Sequence, residues 1–161
     1  VVTDDKQIAD KVRLYRHHWQ TDDNEEYAYN SRLDNLQAAF LNIRLKYLPE
    51  ILKRREEVAK RYLTLEGVVD LPIYQKGRVW QDYVIRVRDP KALAKFLEDN
   101  GIETLGVGLM PPHKALKGNE DLELPNTEIL YKEMLRLPCN ETLSNEDVDY
   151  VIEKVKEFFK G

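Results

Sequence analysis

Three side chains in this sequence stand where their chemistry has a use. Asn30 precedes Ser31, which reads as the N-cap of a helix. An amide there satisfies free backbone N–H groups, and a helix N-terminus also favours a phosphate electrostatically. Arg32 follows, with a guanidinium that can pair with a surface carboxylate. His113 lies in Met110-Pro111-Pro112-His113-Lys114, and a lone loop histidine is more often an exposed surface group than a ligand contact. Cys139 is the only cysteine, which excludes an intrachain disulfide, and no Cys/His cluster has zinc spacing, so no metal site is expected.

Periodicity and capping outline the elements that must position these residues. Val1-Val2-Thr3 reads as a strand end, and Asp4 with Gln7 as a capping box for a helix with Ile8, Val12, Tyr15 and Trp19 inward. Thr21 to Glu26 is an acidic loop without periodicity. Ser31 then opens a helix with Leu33, Leu36, Phe40, Ile43 and Tyr47 on one face. Pro49 interrupts it, and the spacing resumes through Ile51, Val58, Tyr62 and Leu65 until Gly67.

The second half changes character. Residues 68–71, 79–87 and 102–105 read as strands, the second alternating Gln81, Tyr83, Ile85 and Val87 against Trp80, Asp82, Val84 and Arg86, one face apolar and the other mixed. Between them, Asp89-Pro90 starts a helix with Leu93, Phe96 and Leu97 inward, ending at Gly101. A Gly- and Pro-punctuated loop carries His113, and loops of that length are often functional. Helices are predicted from about Thr127 to Leu135 and from a Ser144 cap with Asp147, the latter burying Val148, Val151, Ile152, Val155 and Phe159. The pattern is a small α+β domain preceded by a long helical layer. The charge clusters 53–57 and 154–160 read as solvated helix faces.

Composition narrows the classes. With 161 residues, 42% hydrophobic and 34% charged, the chain can bury a core. A net charge of −4 with the two signs mixed argues against nucleic acid as a partner. No apolar run approaches the roughly 20 residues that span a bilayer, and the start lacks signal-peptide regions; with Cys139 alone and no intrachain disulfide, a reducing cytoplasm is the expected location.

The segment Tyr29-Asn30-Ser31-Arg32-Leu33-Asp34-Asn35-Leu36-Gln37-Ala38-Ala39 resembles the signature of the DegT/DnrJ/EryC1/StrS family of pyridoxal-phosphate-dependent sugar aminotransferases. That signature is usually Gly-Tyr-Asn-x-Arg-Leu or Met, then Gln-Ala-Ala. Further resemblances follow in the family's order: Val1 to Asp5, Arg54-Arg55 with Arg61-Tyr62, Val79 to Ile85, Gly101 to Thr104, and Leu137-Pro138 with Leu143-Ser144. Departures are Ala28 for the usual Gly, and Pro112 and Lys114 around His113.

The resemblance implies an α+β fold class: the C-terminal small domain of a fold-type I transferase, with long connecting helices and the last strand of the large domain. Residues 1–30 would end the large cofactor domain, 31–66 form the connecting helices and 67–161 the small domain. In such enzymes the lysine that binds pyridoxal 5'-phosphate lies upstream of the position matching Val1, so no catalytic residue is expected in this chain. Asn30 would reach the cofactor phosphate of the partner subunit in a homodimer with shared active sites. Arg32 and His113 would face a nucleotide-linked keto sugar, with glutamate as amino donor. A sugar dehydratase on the same scaffold, with histidine in place of that lysine, is the nearest alternative. A free-standing dimerisation module is another, while a DNA-binding regulator conflicts with the acidic charge.

Overall fold

A computed structural model describes residues 2–16, 31–116, 118 and 121–160, in two compact units, Val1–Tyr47 and Leu48–Gly161. Among the described residues no helix is long and apolar enough to cross a membrane.

Caps set the helices of the first unit. Helix α1 (Lys6–Tyr15) begins at Asp5, whose carboxylate accepts from the Gln7 and Ile8 amides at 2.8 and 3.2 Å, one residue later than the expected Asp4 cap. Val2 and Thr3 form no strand; Thr3 Oγ1 instead accepts the Asp5 amide at 3.1 Å. The expected continuation of α1 to Trp19 and the acidic loop 21–26 lie outside the described residues. Helix α2 (Asn35–Lys46) is capped by Asp34, not Ser31, and the Asp34 N–H donates to Gln37 Oε1 at 3.2 Å. A carboxylate with Gln three residues on makes a complete cap, so 31–34 stay non-helical. Leu36, Phe40 and Ile43 do lie on α2 but are 70, 66 and 56% exposed, and Leu41 and Leu45 are exposed too. Within its own unit α2 buries no residue.

The second unit is built on α3 (Leu48–Tyr62), which carries Pro49 in its first turn, where a missing N–H breaks no helical bond. A 3-10 turn, Leu63–Leu65, follows, and Gly67 at φ 80° ends the segment in the left-handed region. Next come β1 (Tyr83–Arg86), α4 (Pro90–Asp99), α5 (Pro112–Ala115), α6 (Pro125–Glu133), β2 (Met134–Leu137) and α7 (Asn145–Phe158). Strands β1 and β2 pair antiparallel, with Tyr83 opposite Leu137 and Ile85 opposite Leu135.

The expected strands at 68–71 and 102–105 each shrink to one bridge: Asp70 pairs with Arg86 beside β1, and Leu105 with Arg136 beside β2. Pro72 has no N–H to extend the first, and Gly106 at φ 105° turns the chain away after the second. The expected helix to Leu135 is also corrected, because it stops at Glu133 and Met134 turns to ψ 141°. Leu137 precedes Pro138, a position biased toward extended backbone, and that was the available signal for β2.

The core gathers Val58, Tyr62 and Leu65 from the α3 segment, Tyr83 and Ile85 from β1, Leu93 and Leu97 from α4, Leu135 from β2, and Val148 and Val155 from α7. Each such side chain stabilises the fold by about 1.5–3 kcal/mol through removal from water. Trp80 is buried although it lies on the opposite parity from Tyr83, because β1 begins only at Tyr83; its ring centroid is 5.5 Å from that of Tyr83. The predicted α4 cap holds, with Asp89 accepting the Ala92 amide at 3.0 Å. So does the α7 cap, where Ser144 Oγ accepts from the Asp147 amide at 3.0 Å and Asp147 accepts the Ser144 amide at 2.9 Å. At the end of α7, Phe158 turns inward against Phe96, with centroids 5.5 Å apart, while the expected Phe159 is 44% exposed.

Candidate functional site

The predicted site residues meet different fates. Asn30 lies outside the described residues. Arg32 is exposed in the first unit, two residues ahead of the Asp34 cap. The helix N-terminus that Ser31 was expected to open therefore begins farther along.

His113, in the second unit, is not the exposed loop side chain that its context suggests: it sits on α5 and is only 7% exposed. Pro111 and Pro112 start that single turn, Pro112 being favoured at a first helical position. The ring lies across from α6, with Nε2 3.3 Å from Glu128 Oε1. Glu128 also takes the Leu124 amide at 3.4 Å, and Lys114 Nζ lies 3.7 Å from the same oxygen. The hydrogen bond from His113 and then that from Leu124 hold the Glu128 carboxyl below its usual range. Facing an ionised carboxylate, Nε2 carries a proton. His113 Nδ1 is buried and without a hydrogen-bond partner among the described residues. The ring thus pins α5 to the start of α6, and the chain on either side of it is held in place by that contact.

Sequence reading missed a second structural centre. The Lys53 to Glu57 cluster is not a solvated face throughout, since Arg55 donates through Nε and Nη2 to Glu141 at 3.1 and 2.9 Å and through Nη1 to the Trp80 carbonyl at 3.3 Å. Arg54 likewise donates to the Leu143 carbonyl at 2.6 Å and to Asn145 at 3.0 Å. These arginines tie α3 to the segment that leads into α7. Beside them lies a cavity of about 540 Å³ whose lining includes Arg55, Asp82, Arg136, Cys139, Asp147 and Tyr150. Its charges are largely matched, Arg136 with Asp82 at 3.6 Å and Arg55 with Glu141. Burial pushes the Cys139 thiol up to about 11, so at neutral pH it is not a nucleophile.

A pyridoxal phosphate site needs a lysine held out of water and a cradle of donors around a phosphate. Among the described residues no lysine is buried, and the residue assigned to the phosphate is not described. The described residues therefore do not form that site by themselves.

Comparison with known proteins supplies the context. The chain is 32% identical over 166 residues to a dTDP-3-amino-3,6-dideoxy-alpha-D-galactopyranose transaminase of Aneurinibacillus thermoaerophilus, covering 98% of this chain and 46% of that protein. It is 34% identical over 173 residues to a pleiotropic regulatory protein of Geobacillus stearothermophilus, covering 99% and 46%. The fold superposes with a TM-score of 0.82 at 28% identity on the NtdA structure of Bacillus subtilis with bound cofactor PMP, covering 99% of this chain and 41% of that one. The chain thus spans about half the length of the relatives it matches. Residues 1–156 match the model of the DegT/DnrJ/EryC1/StrS aminotransferase family, and the chain belongs to that family.

Proposed function

We propose that this chain is the C-terminal part of a pyridoxal-phosphate-dependent aminotransferase that moves an amino group, from glutamate, onto a nucleotide-linked keto sugar. The carrying observation is the family match over residues 1–156, supported by a transaminase relative whose name specifies a dTDP-linked amino sugar. Fold-type I architecture, a cytoplasmic location and a homodimer with shared sites belong to the same reading. In it, residues 67–161 form the small domain, Asn30 anchors the cofactor phosphate of the partner subunit, and Arg32 and His113 serve the substrate side. Buried as it is, His113 serves by setting the shape of the loop around it. On its own the 161-residue chain is inactive in this reading, since its described residues hold no buried lysine.

The test uses the protein made from the complete reading frame that contains this sequence. Supplied with L-glutamate and a nucleotide-linked keto sugar, it should release 2-oxoglutarate in step with the aminated sugar. Asn30→Ala should weaken cofactor retention by about 1.5–3 kcal/mol, the worth of a hydrogen bond to a charged group, or roughly tenfold to a hundredfold. Dehydration of the sugar without 2-oxoglutarate would establish the dehydratase alternative instead. In mixed dimers, an Asn30→Ala subunit paired with one lacking the cofactor-binding lysine should recover one working site per dimer if Asn30 acts across the interface, because the intact lysine then faces the partner's intact Asn30; an inactive mixture would place Asn30 in its own subunit's site.

A further inference from the structure

A cavity of about 360 Å³ opens in the second unit between the start of α4, the loop 107–111 and α6. Pro90, Val107, Leu109 and Pro111 give it an apolar lining, and its volume falls within the ordinary range for small-molecule sites. Three lysines line it from three separate elements: Lys91 on α4, Lys114 on α5 and Lys132 on α6. In a chain of net charge −4, such a concentration of one sign in a concave, partly apolar space is not background.

Three acidic groups in or beside the lining are already engaged. Glu128 is the one carboxylate among the described residues of the lining, and its Oε1 faces His113 Nε2 at 3.3 Å, the Leu124 amide at 3.4 Å and Lys114 Nζ at 3.7 Å. Next in sequence to the lining, Asp89 accepts the Ala92 amide at 3.0 Å and Glu133 pairs with Arg86 at 2.6 Å. Lys114 is therefore set against Glu128, while Lys91 and Lys132 have no ion-pair partner among the described residues. Ammonium groups gathered around one cavity repel each other until an anion enters between them. Tyr131 adds a phenol to the lining.

We infer that this cavity binds a small phosphate-bearing ligand, a diphosphate held by Lys91, Lys114 and Lys132 with its attached group against the apolar lining. The inference does not rest on the aminotransferase reading, and either can fail without the other. Titration calorimetry of the chain at low salt, with inorganic pyrophosphate and separately with thymidine diphosphate, tests it. Saturable binding is expected, weakening as salt rises. The Lys91→Gln/Lys132→Gln double variant, altered only at exposed positions, should lose affinity roughly tenfold. Lys53→Gln, on an exposed position of α3 outside the lining, should bind like the wild type. Tighter binding of thymidine diphosphate than of pyrophosphate identifies a nucleotide-linked ligand, and equal binding identifies the free diphosphate. Absence of saturable binding by either probe, wild-type affinity in the double variant, or an equal loss in Lys53→Gln overturns the site.

Discussion

Arg55→Ala should be among the most costly single substitutions in the second unit, because of what it leaves behind. The guanidinium forks onto Glu141 at 2.9 and 3.1 Å and reaches the Trp80 and Gln81 carbonyls, both at 3.3 Å. The Arg55 and Glu141 side chains are only 15 and 22% exposed. Truncation strands a carboxylate and two carbonyls in a poorly hydrated place. Losing a hydrogen bond to a charged group costs about 1.5–3 kcal/mol, and breaking a fully buried pair about 3–5 kcal/mol. Partial exposure puts the expected loss between these, at about 2–4 kcal/mol. Arg55→Lys keeps the charge but not the planar fork and should lose about half as much. Urea unfolding read by Trp fluorescence and by circular dichroism, with unchanged m, measures both. A double-mutant cycle with Glu141→Gln should give a coupling of about 1–2 kcal/mol. A loss below about 0.5 kcal/mol with no coupling would class the pair with ordinary surface ion pairs, and the account of α3 as tied down through its arginines would fail.

Three further outcomes are expected. Tyr62 donates to the Pro138 carbonyl at 2.7 Å, whereas the buried Tyr83 hydroxyl has no partner among the described residues; in thermal unfolding Tyr62→Phe should cost about 1 kcal/mol and Tyr83→Phe be neutral or stabilising. Cys139, held up at about 11 by burial from an ordinary 9.0, keeps its proton in the folded state where the unfolded chain has lost it. The unfolded state then binds fewer protons, so stability should fall as pH rises from 9.0 to about 11. At pH 8 iodoacetamide should modify the folded chain roughly a hundredfold more slowly than the urea-unfolded chain, a ratio of thiolate fractions, and equal rates would contradict the burial. Finally, Leu36, Phe40 and Ile43 expose a wide apolar face on α2, so sedimentation should show concentration-dependent association that Phe40→Lys reduces; a strictly monomeric wild type would count against it.

Which parts of this molecule could be read in advance follows from how local their causes are. The caps at Asp89 and Ser144 and the stop at Gly101 depend on residues within four positions, and they stand as predicted. The caps of α1 and α2 shifted because each stretch offered two candidates: Asp4 beside Asp5, and Ser31 ahead of Asp34. Strand β2 was hidden because Ile129, Leu130, Met134 and Leu135 keep a helical spacing across a break that pairing with β1 imposes from about fifty residues away. The match of the chain to its family was legible because it rests on residue types in order, which need no geometry.

Charge is where local reading fails most, and the two kinds of lysine and arginine show why. In a linear sequence Arg55 and Lys91 look alike, each a cation on a helix among other charged residues. Their difference arises from contacts far along the chain. Arg55 meets Glu141, 86 positions away, and becomes a structural tie. Lys91 has no ion pair among the described residues and lines a cavity with Lys114 and Lys132, while Asp89 accepts the Ala92 amide and Glu133 pairs with Arg86. His113 follows the same logic: only the position of Glu128, 15 residues on, turns a loop histidine into a buried pin. By occupying Glu128, that pin also keeps the one carboxylate among the described lining residues from neutralising the remaining lysines. His113→Ala should therefore release Glu128 toward Lys91 or Lys132 and weaken diphosphate binding without touching any lysine. His113→Gln, able to donate to the same carboxylate, should restore part of it. Equal affinity in His113→Ala and wild type, with the fold intact by circular dichroism, would show that the histidine has no part in setting the charge of the cavity.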